Sequence, residues 1–370
     1  MTKTRIFVSA LEPSSNLHLK NLAALLPKHC ELMGVCDPSL GRPLFLPSDF
    51  SIMGFIDVAK KLVFIKNALR ILSLEASLCD RVLLMDSSSF NMRLAKLIKA
   101  HNPKLQIMYY ILPQVWAWKS WRAQELENSC EKLASIWRFE LPYYQSRARY
   151  VGHPLLDIYR EDRDFSDRDS DIFVFMPGSR RAEIKKLMLE YKPLAAKLLA
   201  LRPKAKMRLI VPEKFKDTEM MKSYGNLDGF EICYDTREGL SGACFAFICS
   251  GTATLEAALM RIPFVLVYKA KWLDYVIARI FVNLSVIGLA NVIYQATLAQ
   301  EGKQIERAGL GSQTLHDELI QLDCKACAML RAYVNFDYEK YQNGVGVLRQ
   351  YLQHGSAKIV AEWLLEETTT

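Results

Sequence analysis

The sequence predicts an α/β protein with two Rossmann-like domains that flank an interdomain cleft. Short apolar runs alternate with longer segments in which apolar residues recur every three or four positions. This is the rhythm of β-α-β units in a parallel sheet covered by helices on both faces. A highly charged segment interrupts the rhythm, which then starts again. The 370 residues also exceed the ~250–300 at which a single core stops growing.

The composition excludes several other classes of protein. Apolar residues make up 51% and charged residues 24% of the chain, as in a globular protein with a large core. No uninterrupted apolar run approaches ~18 residues, so no segment is expected to span a bilayer. The basic and acidic side chains number 48 and 40 and give a formal charge of +8. This excess favours an anionic partner without distinguishing nucleic acid, phosphate or membrane.

The cysteines and the N-terminus indicate the cellular compartment. The nine cysteines are an odd set, and the chain enters a strand pattern without a signal peptide. Both observations predict a protein of the reducing cytoplasm. Cys324 and Cys327 form a lone CxxC, which is more typical of a helix face than of a zinc site, so no metal site is expected.

The first domain is predicted over residues 1–165. Its strand candidates are Arg5–Val8, Leu32–Cys36, Val82–Met85, Ile107–Ile111 and Leu133–Trp137. Segments with helical spacing, such as Leu17–Leu26 and Leu62–Leu74, separate these strands.

A charged connector precedes the second domain. Eight charges fall in the eleven positions Glu161–Asp171, which is typical of a solvated boundary segment. The strand candidates beyond it are Ile172–Met176, Met207–Val211, Phe230–Cys233, Cys244–Ile248 and Phe264–Tyr268. We predict a second domain over residues 166–343 and a helical segment over residues 344–370.

Parallel sheets bind ligands beyond the carboxyl ends of their strands, and two turns of the second domain follow such ends. In Gly178-Ser179-Arg180 the glycine allows close approach of a ligand and the guanidinium can clamp a phosphate. An ordinary strand-to-helix turn gives the same pattern. Ser250, Gly251, Thr252 and Thr254 open a predicted helix, where free N–H groups and hydroxyls favour an anion. Glu256 can accept ribose hydroxyls or complement the helix dipole.

The first domain has two further candidates at strand ends. Asp86 follows an apolar strand and is well placed to act as a general base. The serines after it are equally typical of a helix cap. Glu12 and Ser14 follow the first strand and are expected at the same sheet edge, although the pattern also fits a capped loop.

Two segments combine basic and aromatic side chains with apolar ones. Val58–Leu72 contains three lysines and an arginine among apolar residues, and Trp272–Leu284 mixes Trp, Tyr, Ile and Phe with two charges. Such helices lie in membrane interfaces. A helix that buries its apolar stripe in a core has the same pattern.

Several motifs together resemble the lipid-A-disaccharide synthase family. They are Met53-Gly54, Pro113-Gln114-Val115-Trp116-Ala117-Trp118, Gly152-His153-Pro154, Gly178-Ser179-Arg180 with Glu183, and Ser250–Glu256. They occur in the family's order up to about Asn291, and the VWAW string is the most specific to that family.

The resemblance implies the GT-B fold and a glycosyltransferase. The reaction would move the sugar of UDP-2,3-diacylglucosamine to 2,3-diacylglucosamine 1-phosphate with inversion, forming a β-1,6 disaccharide and UDP without a metal cofactor. Asp86 and Arg180 would be catalytic, with Arg180 on the diphosphate. The donor site would add Gly178, Ser179, Ser250, Gly251, Thr252, Thr254, Glu256 and Asn291, and the acceptor side Glu12, Ser14, Asn91, Gln114, Trp116 and Arg122. The first domain would bind the acceptor and face the membrane, and the second would bind the UDP-sugar. The enzyme would lie on the cytoplasmic face of the inner membrane, with no nucleic acid partner.

The sequence departs from the family's usual pattern at the acceptor side. The opening loop lacks the glycines and aspartate of AGExSGD, Ser89 replaces the second aspartate of DxPDF, and Gln114 replaces a serine. Alternatives from the residues alone are a sugar-nucleotide epimerase, a peptidoglycan glycosyltransferase, or a non-catalytic lipid- or nucleotide-binding relative.

Overall fold

The computed structural model describes residues 3–51, 58–116, 119–145, 147–159, 166–269, 286–300 and 314–366. The chain divides into two compact units. The first unit comprises Met1–Ile158 and Leu352–Thr370, and the second comprises Tyr159–Tyr351.

The first unit is built on a parallel sheet with helices between its strands. The strands are β1 (Thr4–Ala10), β2 (Cys30–Val35), β3 (Arg42–Phe45), β4 (Arg81–Met85), β5 (Ile107–Tyr110), β6 (Lys132–Ser135) and β7 (Ala148–Tyr150). The helices are α1 (Pro13–Ala23), α2 (Pro47–Ser51), α3 (Val58–Ser77), α4 (Ser88–His101), α5 (Arg122–Ser129) and α6 (Pro154–Ile158), and a 3-10 helix spans Arg138–Tyr143.

The second unit repeats this plan. Its strands are β8 (Ile172–Met176), β9 (Lys206–Ile210), β10 (Phe230–Cys233), β11 (Phe245–Cys249), β12 (Phe264–Tyr268) and β13 (Glu318–Ile320). Its helices are α7 (Arg181–Leu201), α8 (Thr236–Leu240), α9 (Ala253–Leu259), α10 (Leu289–Gln300), α11 (Ala326–Val334) and α12 (Tyr338–Leu352), and α13 (Ser356–Leu365) returns to the first unit. Short 3-10 helices span Glu213–Phe215, Met221–Tyr224 and Gln321–Asp323.

All strand pairs in both sheets are parallel, so the carboxyl ends of the strands share one edge in each unit. The orders are β3-β2-β1-β4-β5-β6-β7 and β10-β9-β8-β11-β12-β13. The sequential order reverses beside β1 in the first sheet and beside β8 in the second. Such reversals are where doubly wound sheets bind ligands. The fold class predicted from the sequence, two parallel-sheet α/β domains, is confirmed.

Burial explains which strands the sequence pattern found. The central strands, such as β4 and β11, are buried along nearly their whole length, and all ten predicted strands are present within one or two residues at each end. The three unpredicted strands, β3, β7 and β13, are edge strands of three or four residues that are partly exposed. They are too short to produce a clear pattern, whereas the equally exposed edge strand β10 was predicted from its alternating Phe230 and Ile232.

The C-terminal segment crosses from one unit to the other. Helix α12 includes both residue 343 and Gly344, the two positions between which we placed the start of the C-terminal helical segment. A Cβ at Gly344 would come within 2.6 Å of Leu315 Cδ1, so a glycine permits this close packing. Helix α13 then joins the first unit, where the Asp157 carboxylate accepts the N–H groups of Gly355 and Ala357, both at 2.7 Å.

Two further findings concern membranes and thiols. Among the helices described, none is both long enough and apolar enough to cross a bilayer. All nine cysteines lie in the described ranges and carry free thiols, with Cys324 buried and Cys327 exposed.

Gly34 is the position at which β1 and β2 allow no side chain. Its φ is +127°, and a Cβ there would lie 2.3 Å from the carbonyl oxygen of Val8. We expect Gly34→Ala to lower the free energy of unfolding by roughly 1–3 kcal/mol, because the two paired strands must move apart. Urea unfolding followed by circular dichroism measures this change.

Gly346 provides the matched control. It lies inside α12, and a Cβ there would meet no heavy atom within 4 Å. Gly346→Ala should raise the free energy of unfolding by about 0.5–1 kcal/mol, because alanine restricts the unfolded chain. Equal losses of stability in the two variants would contradict the steric argument.

Candidate active site

Asp86 lies at the carboxyl end of β4, directly beside the reversal in strand order. Its N–H donates to the carbonyl oxygen of Tyr110 at 3.1 Å, which extends the β4–β5 ladder by one residue. The backbone then turns through two left-handed residues, with φ of 51° at Asp86 and 42° at Ser87. This conformation costs a residue with a side chain roughly 1–2 kcal/mol, and such strain is concentrated at functional sites.

Three neighbouring influences act on the Asp86 carboxyl. Burial raises the pKa of the Asp86 carboxyl, the N–H of Ser87 opposes this rise, and the nearby charge of Glu12 adds to it. Glu12 precedes α1 and its carboxylate accepts the Ser87 hydroxyl at 3.5 Å. The predicted meeting of Glu12 and Asp86 at one sheet edge is therefore present in the structure, with Ser14 exposed on the first turn of α1.

Asn91 lies in the first turn of α4 and is fully buried. Its amide nitrogen donates to the carbonyl oxygens of Met85 at 2.9 Å and Asp86 at 3.0 Å, and its carbonyl accepts the Ser9 hydroxyl at 2.6 Å. Asn91 thus joins the ends of β1 and β4 and supports the turn that contains Asp86.

The remaining acceptor-side candidates surround the same edge. The Arg122 guanidinium donates to the Ser88 hydroxyl at 3.2 Å, which brings the start of α5 to the first turn of α4. Gln114 is exposed, and the Trp116 ring packs edge-on against Phe139 at 5.2 Å. The indole N–H of Trp116 is buried and has no hydrogen-bond partner within the described chain.

In the second unit, Gly178, Ser179 and Arg180 follow β8 at the reversal in strand order. Gly178 has a φ of +87°, and a Cβ there would lie 3.0 Å from the Cys249 sulfur. Arg180 directly precedes α7 and donates to the Glu183 carboxylate at 2.9 Å. The Arg180 side chain is 77% exposed and the Glu183 side chain 10% exposed. The buried carboxylate therefore orients a guanidinium that projects into solvent.

The turn after β11 lies beside the Gly178 turn, because β11 pairs with β8. Gly251 and Thr252 are exposed and Ser250 is half-buried. Thr254 is fully buried and donates its hydroxyl to the Gly251 carbonyl at 2.8 Å, so it shapes the turn from inside.

Glu256 lies two residues after Thr254, in the first turn of α9. Burial, together with the nearby charge of Asp235, raises the pKa of Glu256 to about 7. A carboxyl held with such a raised pKa is typical of functional sites, although it reduces the stability of the fold at neutral pH.

Asn291 occupies a structural position in α10. It is fully buried, and its amide nitrogen donates to the His316 carbonyl at 2.9 Å and to the Glu318 carboxylate at 2.8 Å. The same carboxylate accepts the N–H groups of Ile287 and Gly288. Asn291 and Glu318 thus connect the start of α10 with β13.

Three relevant residues were not among the predicted site residues. Glu183 was named only as part of the family motif that contains Gly178-Ser179-Arg180, although its helical spacing of three positions from Arg180 indicates the pair. Tyr109 donates its hydroxyl to the Asp86 carbonyl at 2.5 Å, a contact that no spacing in the sequence indicates. Glu140 is also buried; desolvation raises its pKa to about 8, and one carboxyl oxygen has no partner within the described residues.

Some predicted features lie outside the described residues. These are Met53-Gly54, Ala117-Trp118, the segment Trp272–Leu284 and part of the charged connector. Within the described ranges, no group of three or more His, Cys, Asp or Glu side chains could hold a metal ion.

Comparisons with known proteins give a consistent result. The family model described as lipid-A-disaccharide synthetase matches residues 6–343. The chain is 48% identical over 359 residues to the lipid-A-disaccharide synthase of Helicobacter pylori strain J99, which covers 96% of this chain and 97% of that protein. It is 40% identical over 379 residues to the enzyme of the same name from Campylobacter jejuni strain RM1221, covering 97% and 98%.

Solved structures share the fold at low sequence identity. The S. aureus MnaA-UDP co-structure has a TM-score of 0.58 at 12% identity and covers 97% of this chain and 95% of that one. The calicheamicin glycosyltransferase CalG4 has a TM-score of 0.54 at 12% identity and covers 98% of both chains. These similarities show that the chain has the GT-B fold, and they show nothing about its activity.

The raised pKa of Glu256 predicts a pH-dependent stability. The folded-state value of about 7 lies above the ordinary 4.5, so its ionisation destabilises the fold progressively as the pH rises from about 4.5 to about 7. Glu256→Gln should therefore raise the free energy of unfolding by about 1–3 kcal/mol near pH 8 and much less near pH 5. Urea unfolding at the two pH values measures the difference.

Glu238→Gln is the control, because Glu238 is an exposed carboxylate at α8 in the same unit. It should show no comparable gain near pH 8. A Glu256→Gln variant whose stability relative to wild type is the same at both pH values would contradict the argument.

Proposed function

Because this chain belongs to the lipid-A-disaccharide synthetase family, we propose that Asp86 and Arg180 are the reacting-site residues of a lipid A glycosyltransferase. The chain is a glycosyltransferase that forms the lipid A disaccharide. The proposed substrates are UDP-2,3-diacylglucosamine as donor and 2,3-diacylglucosamine 1-phosphate as acceptor. The observation that carries the residue assignment is a partly desolvated carboxyl at the carboxyl edge of the first sheet, directly after the buried strand β4.

In the proposed reaction Asp86 is the general base for the acceptor. Its carboxylate takes the proton of the acceptor 6-hydroxyl as that oxygen forms a bond to C1 of the donor sugar. The bond from C1 to the diphosphate breaks, and UDP leaves with the electron pair, so that inversion gives a β-1,6 linkage. A pKa raised by burial makes Asp86 a stronger base than a solvated aspartate.

The charge that develops on UDP needs a fixed cation, and Arg180 is proposed to supply it. Glu183 holds one side of the guanidinium, which leaves exposed N–H groups for two diphosphate oxygens. Gly178 allows close approach beside it, and the turn Ser250–Thr254 offers hydroxyl and N–H donors. Glu256 is proposed to accept the ribose hydroxyls. With a permanent guanidinium at the leaving group, we propose a reaction that requires no metal cofactor.

The lipid substrates are embedded in a membrane, so the enzyme needs a surface that binds the membrane. Helix α3 offers such a surface. Leu62 and Val63 are 61% and 59% exposed, and Leu78, which follows the helix, is 63% exposed. Exposed Lys66 and Arg70 lie on the same helical stripe, at four-residue spacing from Leu62. We name the exposed side of residues 62–78 the α3 face. Apolar side chains interleaved with cations favour an anionic lipid surface, so we propose peripheral binding to the cytoplasmic face of the inner membrane.

The residue assignment is tested by incubating the enzyme with both lipid substrates. The UDP released from the donor is measured, and the lipid product is analysed by mass spectrometry. We expect Asp86→Asn to lower kcat by at least about a hundredfold while UDP affinity stays near that of wild type, because the base is lost and the donor site is unchanged. Arg180→Ala should weaken UDP binding and lower kcat together.

Arg181→Ala is the matched control for Arg180→Ala, since Arg181 is the adjacent exposed arginine. It should retain wild-type turnover. Turnover should also survive dialysis against EDTA. A loss of UDP affinity in a folded Asp86→Asn variant would refute the role of Asp86, and a loss of activity that Mg²⁺ restores would refute the metal-free reaction.

Sedimentation with vesicles of phosphatidylethanolamine and phosphatidylglycerol tests the α3 face. The double variant Leu62→Ser/Val63→Ser should bind at least about fivefold more weakly, because it removes apolar surface from the interface. Lys66→Glu/Arg70→Glu should abolish the dependence on phosphatidylglycerol. Leu189→Ser is the control, because Leu189 is 74% exposed but lies on α7 in the other unit. Equal loss in the control would contradict the proposal.

A further inference from the structure

Two buried side chains converge on one backbone atom of the proposed base. The carbonyl oxygen of Asp86 accepts the Tyr109 hydroxyl at 2.5 Å and the Asn91 amide at 3.0 Å. Tyr109 is on β5, where it pairs with Leu84, and Asn91 is on α4. Both side chains are fully buried, so neither is available to contact a substrate directly.

We propose that Tyr109 and Asn91 are positioning residues that hold the Asp86–Ser87 peptide in its left-handed turn and thereby present the Asp86 carboxyl at the sheet edge. The inference rests on the proposed role of Asp86 as base. In this role Tyr109 and Asn91 affect turnover through Asp86, and neither residue contacts a substrate.

The physical argument begins with the strain at this turn. Two consecutive non-glycine residues with positive φ persist only where surrounding contacts fix them. The Asp86 N–H is held by the Tyr110 carbonyl, and the Asp86 carbonyl is held by Tyr109 and Asn91. The peptide groups on both sides of the Asp86 Cα are therefore fixed. Because the backbone determines the direction of the Cα–Cβ bond, the same contacts determine where the carboxyl is presented.

The charge environment gives the inference a specific signature. The titratable groups that act on Asp86 are Glu12 from the turn after β1 and Tyr109 from β5. Arg122, from the start of α5, acts on Tyr109 and donates to the Ser88 hydroxyl. Burial is the largest cause of the raised pKa of Asp86. If the turn relaxes and the carboxyl moves towards solvent, that pKa falls towards its ordinary value. The acidic limb of kcat/KM should then move to lower pH.

β5 supplies a matched pair of variants. Tyr109 and Tyr110 are adjacent and fully buried, and each hydroxyl makes a hydrogen bond. The Tyr110 hydroxyl bonds to Ser356 Oγ at 2.7 Å, away from Asp86. Tyr109→Phe and Tyr110→Phe therefore each remove one buried hydroxyl and keep the ring, but only Tyr109→Phe releases the Asp86 carbonyl.

The experiment compares wild type, Tyr109→Phe, Tyr110→Phe, Asn91→Ser and Asp86→Asn as full-length proteins. For each we would measure thermal unfolding, kcat, KM for both lipid substrates and the pH profile of kcat/KM. We expect Tyr109→Phe to lower kcat about tenfold or more, with both KM values within about twofold and the acidic limb shifted to lower pH. Asn91→Ser should change kcat and the pH profile in the same direction. Tyr110→Phe should keep kcat within about twofold of wild type and leave the limb unchanged, whatever its loss of thermal stability.

Failure of the inference and failure of the proposed function give different results. If the Asp86→Asn variant is active, Asp86 is not the base. Both the proposed function of Asp86 and the positioning role of Tyr109 and Asn91 are then refuted. If Asp86→Asn is inactive, two results would overturn the inference but not the role of Asp86. One is an equal effect of Tyr109→Phe and Tyr110→Phe on kcat, and the other is an unchanged acidic limb of kcat/KM in Tyr109→Phe.

Discussion

Complete burial of the central parallel strands is the constraint on which the rest of the structure depends. Strands such as β4, β8 and β11 are covered on both faces, so beyond the Arg81 that opens β4 they contain only apolar side chains. Around these strands the polar groups therefore lie beyond the strand ends. Because all strand pairs are parallel, these ends lie at one edge of each sheet. Asp86 and Arg180 each occupy the first positions beyond a buried strand at such an edge.

Chemical groups at these edges are maintained at a cost in stability. Asp86 adopts a left-handed backbone beside the Glu12 carboxylate, and Glu256 has a pKa near 7 because it is largely removed from water. Neither feature strengthens the fold. Strain and raised pKa values that recur at the carboxyl edges are the pattern expected of sites selected for chemistry. Arg180 differs, since Glu183 stabilises its charge and leaves most of the side chain exposed.

The two asparagines among the candidate residues illustrate a second kind of contribution. Asn91 and Asn291 are both completely buried, and each uses its amide to connect backbone segments that are distant in sequence. An amide suits this task because it offers two donors and an acceptor without charge. Both therefore position backbone segments. In the proposed function, contact with a ligand falls to the exposed and half-buried side chains of the adjoining turns.

The sequence by itself determined the fold class, the central strands, the position of Asp86 and of the Gly178 and Ser250 turns directly after strands, and the family, because hydrophobic periodicity and short motifs are local properties of the chain. It did not reveal β3, β7 and β13, which are edge strands of three or four residues and too short to produce a clear alternation. Only the tertiary structure decided that α13 packs on the first unit, that Asn91 faces inward and that the Tyr109 hydroxyl reaches Asp86. These contacts join residues far apart in sequence, and their existence depends on strand order and register, which periodicity does not specify.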